Sequence, residues 1–249
     1  ATDLFREFAQ ATQFPVVNSL MAVDTLPYDY PLHVGMIGSY GNRWANLAIG
    51  RSDLLLVLGS RLDVRQTGSE TKAFKDGRVI YHVDCETGEI NNRVTGCHAI
   101  ISDLRSFLEV VIELSTTRTF PQRTEWLAEI NELRQTWLDT TELRDVTGIN
   151  PNELMHQLSA ASRAAVAFVV DVGQHQMWAA QSLEVCADQR FLTSGGMGAM
   201  GFGLPAGIGV AFTFPDRPVV VIAGDGGFQL NIQEIQTVIH HRLPIKMVI

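Results

Sequence analysis

Five consecutive apolar residues, Val219-Val220-Val221-Ile222-Ala223, run straight into Gly224-Asp225-Gly226-Gly227. A β-branched run of that length without polar alternation suits a strand buried on both faces, the condition of the interior of a parallel sheet. Parallel neighbours cannot be joined by a tight hairpin, so a helix must carry the chain back. The residues supply one: Asn231 is placed to cap it, and Ile232, Ile235, Val238 and Ile239 recur at helical spacing up to His241. Leu243 to Ile249 then reads as the next parallel strand. Taken alone, Asp-Gly is a favoured hairpin-turn pair. With no alternating partner strand, the order strand, glycine-rich exit, helix, strand instead puts Asp225 at the carboxyl edge of a parallel sheet, where α/β proteins bind ligands. The flanking glycines let a ligand approach the backbone, and a carboxylate facing a diphosphate needs a divalent cation, Mg²⁺, between them.

The same alternation recurs along the chain. Helical spacing near Leu4 to Thr12 precedes a strand at Phe14 to Ser19; a helix near Trp44 to Ile49 precedes Asp53 to Gly59, and Val79 to Asp84 is a further strand. Ser102 to Leu114 adds a helix with Asp103 near its positive end. Polar, aperiodic Ser115 to Pro121 marks a linker, followed by a connector helix with Trp126, Leu127, Ile130, Leu133 and Trp137 on one stripe. Asn150-Pro151-Asn152-Glu153 combines a cap, a first-position proline and an acid, and so starts a second domain. The expected organisation is α/β, two doubly wound parallel-sheet domains: a Rossmann-like domain over 1–116, a linker with a helix over 117–149, and a ligand-binding domain over 150–249.

With 249 residues, 46% of them hydrophobic, the chain can bury a large core. A net charge of −8 argues against tracking a nucleic-acid backbone, so anionic ligands must be held locally. No apolar run approaches membrane-spanning length, and Ala1 to Glu7 reads as an amphipathic helix already under way rather than a signal peptide. The three cysteines, Cys85, Cys97 and Cys186, are widely spaced with no zinc-type pairing, which fits a reducing cytoplasm. Lacking a natural beginning and end, the chain reads as part of a longer protein.

The second domain carries the densest chemistry. After a strand at Ala165 to Asp171 comes a loop with Gly173-Gln174-His175-Gln176; after strand-like Arg190 to Thr193 come seven glycines between Gly195 and Gly209. Such density bares the backbone to a flat ring; the later glycines, at helical spacing, serve close helix packing equally well. Most isolated histidines are satisfied surface or core residues, but His175 follows a strand tip beside two glutamines, all good donors to phosphate oxygens.

Three segments in order, Asp171-Val-Gly-Gln-His-Gln-Met-Trp-Ala-Ala-Gln181, Thr193-Ser-Gly-Gly-Met-Gly-Ala-Met-Gly-Phe-Gly-Leu-Pro-Ala206 and Gly224-Asp-Gly226, resemble the diphosphate-binding domain of thiamine-diphosphate enzymes, most of all the acetolactate synthase large subunit and its pyruvate-oxidase-like relatives. Leu32-His33 with Gly35-Met36, Asp53 to Asp63, and His82-Val-Asp84 resemble the same family's central domain. The resemblance implies thiamine diphosphate bound with Mg²⁺: Asp225 as a metal ligand, Gly226 and Gly227 near the diphosphate with Gln174 and His175, and Gly198 and Met200 around the aminopyrimidine, Met200 bending the cofactor. It implies no catalytic residue within this stretch, because the family's activating glutamate belongs to an N-terminal domain. The implied reaction is decarboxylation of a 2-oxo acid, pyruvate, and ligation of the two-carbon unit to an acceptor, in a cytoplasmic homo-oligomer of at least two subunits, with neither nucleic acid nor membrane as partner.

Family members that carry FAD hold it on the central domain, which would place it against Gly35, Met36, Gly38, Ser39, Gly59, Arg61, Asp63, Asp84 and Asp103. Here the sequence departs from the synthases, with Ile37 where they have histidine, Val64 where an acid is usual, and an added stretch Tyr40 to Arg43. Two other readings stay open: a non-catalytic dinucleotide-binding or regulatory module, suggested by Gly-x-Gly-x-x-Gly at Gly196 to Gly201, and, within the family, a decarboxylase or oxidase without ligation.

Overall fold

The computed structural model describes residues 2–141 and 147–249, so residues 142–146 of the expected linker lie outside the described residues. The chain divides into two compact units, residues 1–19 with 31–138 and residues 20–30 with 139–249.

The first unit runs α1 (Thr2–Thr12), β1 (Val16–Asn18), β2 (His33–Met36), α2 (Arg43–Arg51), β3 (Leu54–Leu58), α3 (Val64–Thr67), α4 (Thr71–Lys75), β4 (Val79–Asp84), β5 (His98–Ile101), α5 (Leu104–Ser115) and α6 (Thr124–Thr136). Its strands pair only in parallel, as β1-β2 and as β3-β4-β5. Strands β2 and β5 have no apolar run long enough to stand out in the sequence. Helix α6, expected in the connector, belongs to this unit: Ile130 and Leu133 are buried with Val34, Trp44, Ala45 and Ala48. Trp44 is fixed there by donating from Nε1 to the Val34 carbonyl at 2.6 Å.

The second unit runs α7 (Pro151–Ala161), β6 (Ala167–Val170), α8 (Gln174–Ser182), β7 (Arg190–Thr193), α9 (Gly203–Thr213), β8 (Val219–Ile222), α10 (Asp225–Leu230), α11 (Ile235–His241) and β9 (Ile245–Val248). Its sheet is all parallel in the order β7-β6-β8-β9, so the α/β, parallel-sheet class read from the sequence is the class observed. Every residue of β6 and β8 is buried, as expected for central strands covered on both faces. Gly207 explains one of the helical glycines: a Cβ there would come within 2.5 Å of a Val221 methyl, so α9 lies directly on the sheet. Gly209 has no such neighbour within 4 Å.

Three local expectations change. The helix expected to start at Asn231 starts earlier: the glycine-rich exit is itself helical, with Gly224 as the N-cap and Asp225 to Leu230 forming α10. Asn231 makes no side-chain cap; its amide donates instead to the Gly201 carbonyl at 2.7 Å. Gln174 to Gln176, expected in a loop, form the first turn of α8. Of the C-terminal apolar stripe, Val238 packs with Leu204 and Ile208, whereas Ile232 and Ile239 are exposed.

Candidate functional site

In the second unit the chain moves outward from β6 to β7, then crosses back over β6 through α9 to reach β8. The connections leaving β6 and β8 therefore diverge in opposite directions at their carboxyl ends. Such a switch point opens the crevice in which α/β proteins bind ligands. Gly173-Gln174-His175 leaves from β6, and Gly224-Asp225-Gly226 from β8.

Asp171, at the tip of β6, is 1% exposed and organises this crevice. One carboxylate oxygen accepts from the Val172 N–H at 2.7 Å and the Gly201 N–H at 3.0 Å; the other accepts from the Gly203 N–H at 2.7 Å. Charge-assisted bonds to backbone donors are the strong kind, and here they pin the glycine-rich segment to the strand tip. The glycines are required by proximity: a Cβ on Gly203 would lie 3.1 Å from Asp171, and one on Gly227 would lie 2.7 Å from its Oδ1. Asn231 holds the same segment from the other side through the Gly201 carbonyl. A linear reading registers Asp171 only as a strand-end residue, since Gly201 and Gly203 lie 30 and 32 positions downstream.

His175 lies over this floor. A Cβ on Gly224 would sit 3.3 Å from its ring, so the loop leaving β8 has to be bare for the imidazole to rest there. Burial pushes its pKa below the ordinary imidazole range, against the pull of the Asp171 charge and backbone carbonyl, which leaves the ring neutral at pH 7. Its Nε2 is buried without a hydrogen-bond partner among the described residues. An orphaned buried nitrogen of this kind fits a polar ligand atom that completes it, a donor to the neutral ring or an anionic oxygen once the ring is protonated.

The other expected residues distribute around His175. Asp225 and Gly226 are exposed at the start of α10, Gly227 is buried, and Met200 reaches over them: a Cβ on Gly226 would be 3.5 Å from its Cε. Met200 is 52% exposed, free to lie against a flat ligand. Gly198 has φ +71°, a conformation that favours glycine, and its N–H donates to the Ser194 carbonyl at 3.0 Å. Gln174 is exposed at the mouth, but Gln176 turns inward, donating to Thr193 Oγ1 at 2.7 Å. That glutamine joins α8 to β7 and is not a phosphate donor. Among the described residues no three His, Cys, Asp or Glu side chains cluster as a metal cage. Asp225 remains an exposed carboxylate beside bare backbone, a donor set that fits Mg²⁺ held through one carboxylate, a diphosphate and water.

In the first unit the residues expected around FAD gather at the carboxyl ends of β2, β3 and β4 and just beyond β5. Gly35, Gly38 and Gly59 all have positive φ, and Asn46 bonds both the N–H and the carbonyl of Gly38 at 2.9 Å. Met36 is buried, Arg61 and Ser39 are exposed, and the Ser39 N–H donates to the Arg65 carbonyl at 2.7 Å. The carboxylates are partly engaged in local structure. Asp63 caps α3 through the Arg65 N–H at 2.8 Å, Asp84 accepts from the Glu86 N–H at 2.9 Å, and Asp103 caps α5 through the Ser106 N–H at 3.0 Å.

Residues 1–111 match the thiamine pyrophosphate enzyme central domain, and residues 171–249 match the thiamine pyrophosphate enzyme C-terminal TPP binding domain. Across its whole length the chain is 35% identical to the acetolactate synthase large subunit of Lactococcus lactis, covering 43% of that protein. It is 35% identical to the acetolactate synthase isozyme 2 large subunit of Escherichia coli, covering 44% of it, and 39% identical to the large subunit from Parasynechococcus marenigrum, covering 40%. The chain thus spans less than half the length of these curated relatives.

Proposed function

The chain belongs to the thiamine pyrophosphate enzymes, carrying their central and C-terminal cofactor-binding domains, and from that membership we propose that it serves an acetolactate-synthase-like carboligase acting on pyruvate. The observation that carries the reading is the convergence at one switch point of a neutral histidine with an orphaned Nε2, an exposed carboxylate, bare glycines and an exposed methionine.

Thiamine diphosphate, when bound, supplies the electron sink into which a 2-oxo acid loses carbon dioxide. The chain's own residues bind and orient it. The exposed Gln174 amide would offer a hydrogen bond to the diphosphate, His175 Nε2 would add one when the ring takes up a second proton, and Asp225 would hold Mg²⁺. Gly226 and Gly227 keep the backbone low enough for that approach, while Gly198 and Met200 shape the surface for the aminopyrimidine. Asp171 accepts from three backbone N–H groups and so positions the crevice.

The test uses the complete polypeptide that carries this chain. Calorimetric titration of thiamine diphosphate in the presence of Mg²⁺ should show binding that Asp225→Ala weakens at least tenfold, with acetolactate formation from pyruvate lost in parallel. Unchanged affinity in that variant would remove Asp225 from the metal site. Intact cofactor binding without any acetolactate would instead point to a decarboxylase or oxidase.

A further inference from the structure

Met200 lies in a stretch of backbone that no regular element supports. Between the end of β7 and the start of α9, residues 194–202 form neither helix nor strand. Gly198 and Gly201 have φ +71° and +84°, so the chain bends sharply on either side of Ala199 and Met200. In such a segment the individual hydrogen bonds to its backbone decide where a side chain points.

Those bonds arrive from two directions. On the side of β6 and β7, the Ser194 carbonyl accepts from the Gly198 N–H at 3.0 Å, Ser194 Oγ from the Ala199 N–H at 3.1 Å, and the Asp171 carboxylate from the Gly201 N–H at 3.0 Å. On the side of β8, the Asn231 amide donates to the Gly201 carbonyl at 2.7 Å. Both polar groups of the residue that follows Met200 are therefore gripped, one from each side. The grip is close enough to require glycine: a Cβ on Gly201 would lie 2.8 Å from Asn231 Nδ2 and 3.0 Å from Leu230 Cβ. Asn231 also ends α10, the helix whose first residue is Asp225. Gly226, in the first turn of that helix, comes under the tip of Met200, since a Cβ there would be 3.5 Å from the methionine Cε. One short helix thus carries the carboxylate read as the metal ligand at its start and the hold on the methionine segment at its end.

We propose that Asn231 is a positioning residue for the cofactor: through the Gly201 carbonyl it fixes Met200 relative to Asp225, so that the ring end of thiamine diphosphate meets the methionine while its diphosphate is held at the start of α10. The proposal rests on the reading of this crevice as the thiamine diphosphate site, and it adds a residue that acts through another residue's backbone. Without the amide, the Gly201 carbonyl loses its partner and the methionine segment is held from the side of β6 and β7 alone. The diphosphate end draws on Gln174, Asp225 and the bare glycines of α10, and none of these bonds Asn231. A residue needed only for folding affects both ends of the ligand alike, whereas a positioning residue of this kind affects the ring end.

The test compares two ligands by calorimetry on the complete polypeptide that carries this chain, in the presence of Mg²⁺: thiamine diphosphate, which reads both ends, and inorganic diphosphate, which reads the metal end alone. Two variants are used, Asn231→Ala and Asn231→Leu, the second filling the side chain's space without a donor. Both are expected to weaken thiamine diphosphate about fivefold or more, the factor that one hydrogen bond of ordinary strength carries. Both should bind inorganic diphosphate within about twofold of the parent, which also shows that they are folded. Equal weakening of the two ligands would make Asn231 a purely structural residue and overturn the proposal. So would parent-like affinity for thiamine diphosphate in either variant, recovery in the leucine variant assigning the effect to packing. Failure of the underlying reading shows elsewhere, as parent protein that binds neither ligand with Mg²⁺ or as an Asp225→Ala variant that binds both like the parent, and it would remove the proposal with it.

Discussion

Asp171 ties the glycine-rich segment to the tip of β6 through one side chain. Its carboxylate satisfies the backbone N–H groups of Val172, Gly201 and Gly203 in a place where water does not compete. Removing an acceptor from a buried donor costs about 1–3 kcal/mol for each group left unsatisfied. Asp171→Ala is therefore expected to lower stability by about 3 kcal/mol or more, read from the midpoint of urea unfolding, and to free the Ser194 to Phe202 segment for faster hydrogen exchange. Asp171→Asn retains one acceptor oxygen and should fall between the two. His175 is the contrasting case: bare glycines leave room for its ring, the Asp171 backbone carbonyl holds one side of it, and its Nε2 has no partner among the described residues. That residue was visible in the sequence as a donor at a strand tip. Asp171 was not distinguishable from other strand-end acids, because nothing local announces the Gly201 and Gly203 donors brought from elsewhere.

Elements of the second unit are joined by a small ionic cluster remote from the cofactor crevice. His156 on α7 bonds Asp139 Oδ2 through Nε2 and Glu184 Oε1 through Nδ1, both at 3.0 Å, while Ser182 at the end of α8 donates to Asp139 at 2.5 Å. Arg163, just beyond α7, pairs with Glu184 at 2.9 Å, and the Tyr28 ring meets the imidazole edge-on at 6.1 Å. The bond to Asp139 raises the His156 pKa above its ordinary value despite burial. Burial pushes the Asp139 carboxyl up, but its bonds from His156 and Ser182 outweigh that and hold it below the usual range. A raised histidine stabilises fully below its unfolded value of about 6.5 and loses that contribution as pH rises through the folded value. A depressed aspartate stabilises fully above about 3.9 and loses its contribution as pH falls through the folded value. The joint is thus strongest between about pH 4 and 6.5. Urea midpoints should fall from pH 6 to pH 8.5 in the parent chain, and the fall should shrink in His156→Gln; an identical pH profile in both would exclude the imidazolium as its source.

At the scale of the molecule, a further cofactor is testable without any assay of turnover. The glycine-lined carboxyl edge of the first unit would suit FAD, whereas Asp63, Asp84 and Asp103 are each already employed in capping or turn bonds. The complete protein purified in its native state should carry flavin absorbance near 450 nm, and a colourless preparation that takes up no added FAD would mark a flavin-free member of the family. No helix among the described residues is long and apolar enough to cross a membrane. The class of fold was legible because a parallel sheet needs near-continuous apolar strands and intervening helices, and both have short-range signatures. Runs such as Val219 to Ile222 and Leu54 to Leu58 carry them, and the order of the glycine-rich, histidine and Gly-Asp-Gly segments pointed to one kind of ligand. Contacts made across the sheet were not legible. Asp171 with Gly203, Asn231 with Gly201, and His175 over Gly224 depend on β6 and β8 lying side by side, and the open edges of β1 and β3 depend on which strands fail to meet. Propensity and periodicity act over a few residues, so they settle what each segment becomes; pairing between strands fifty positions apart is set by global packing, and it is that packing which builds the crevice.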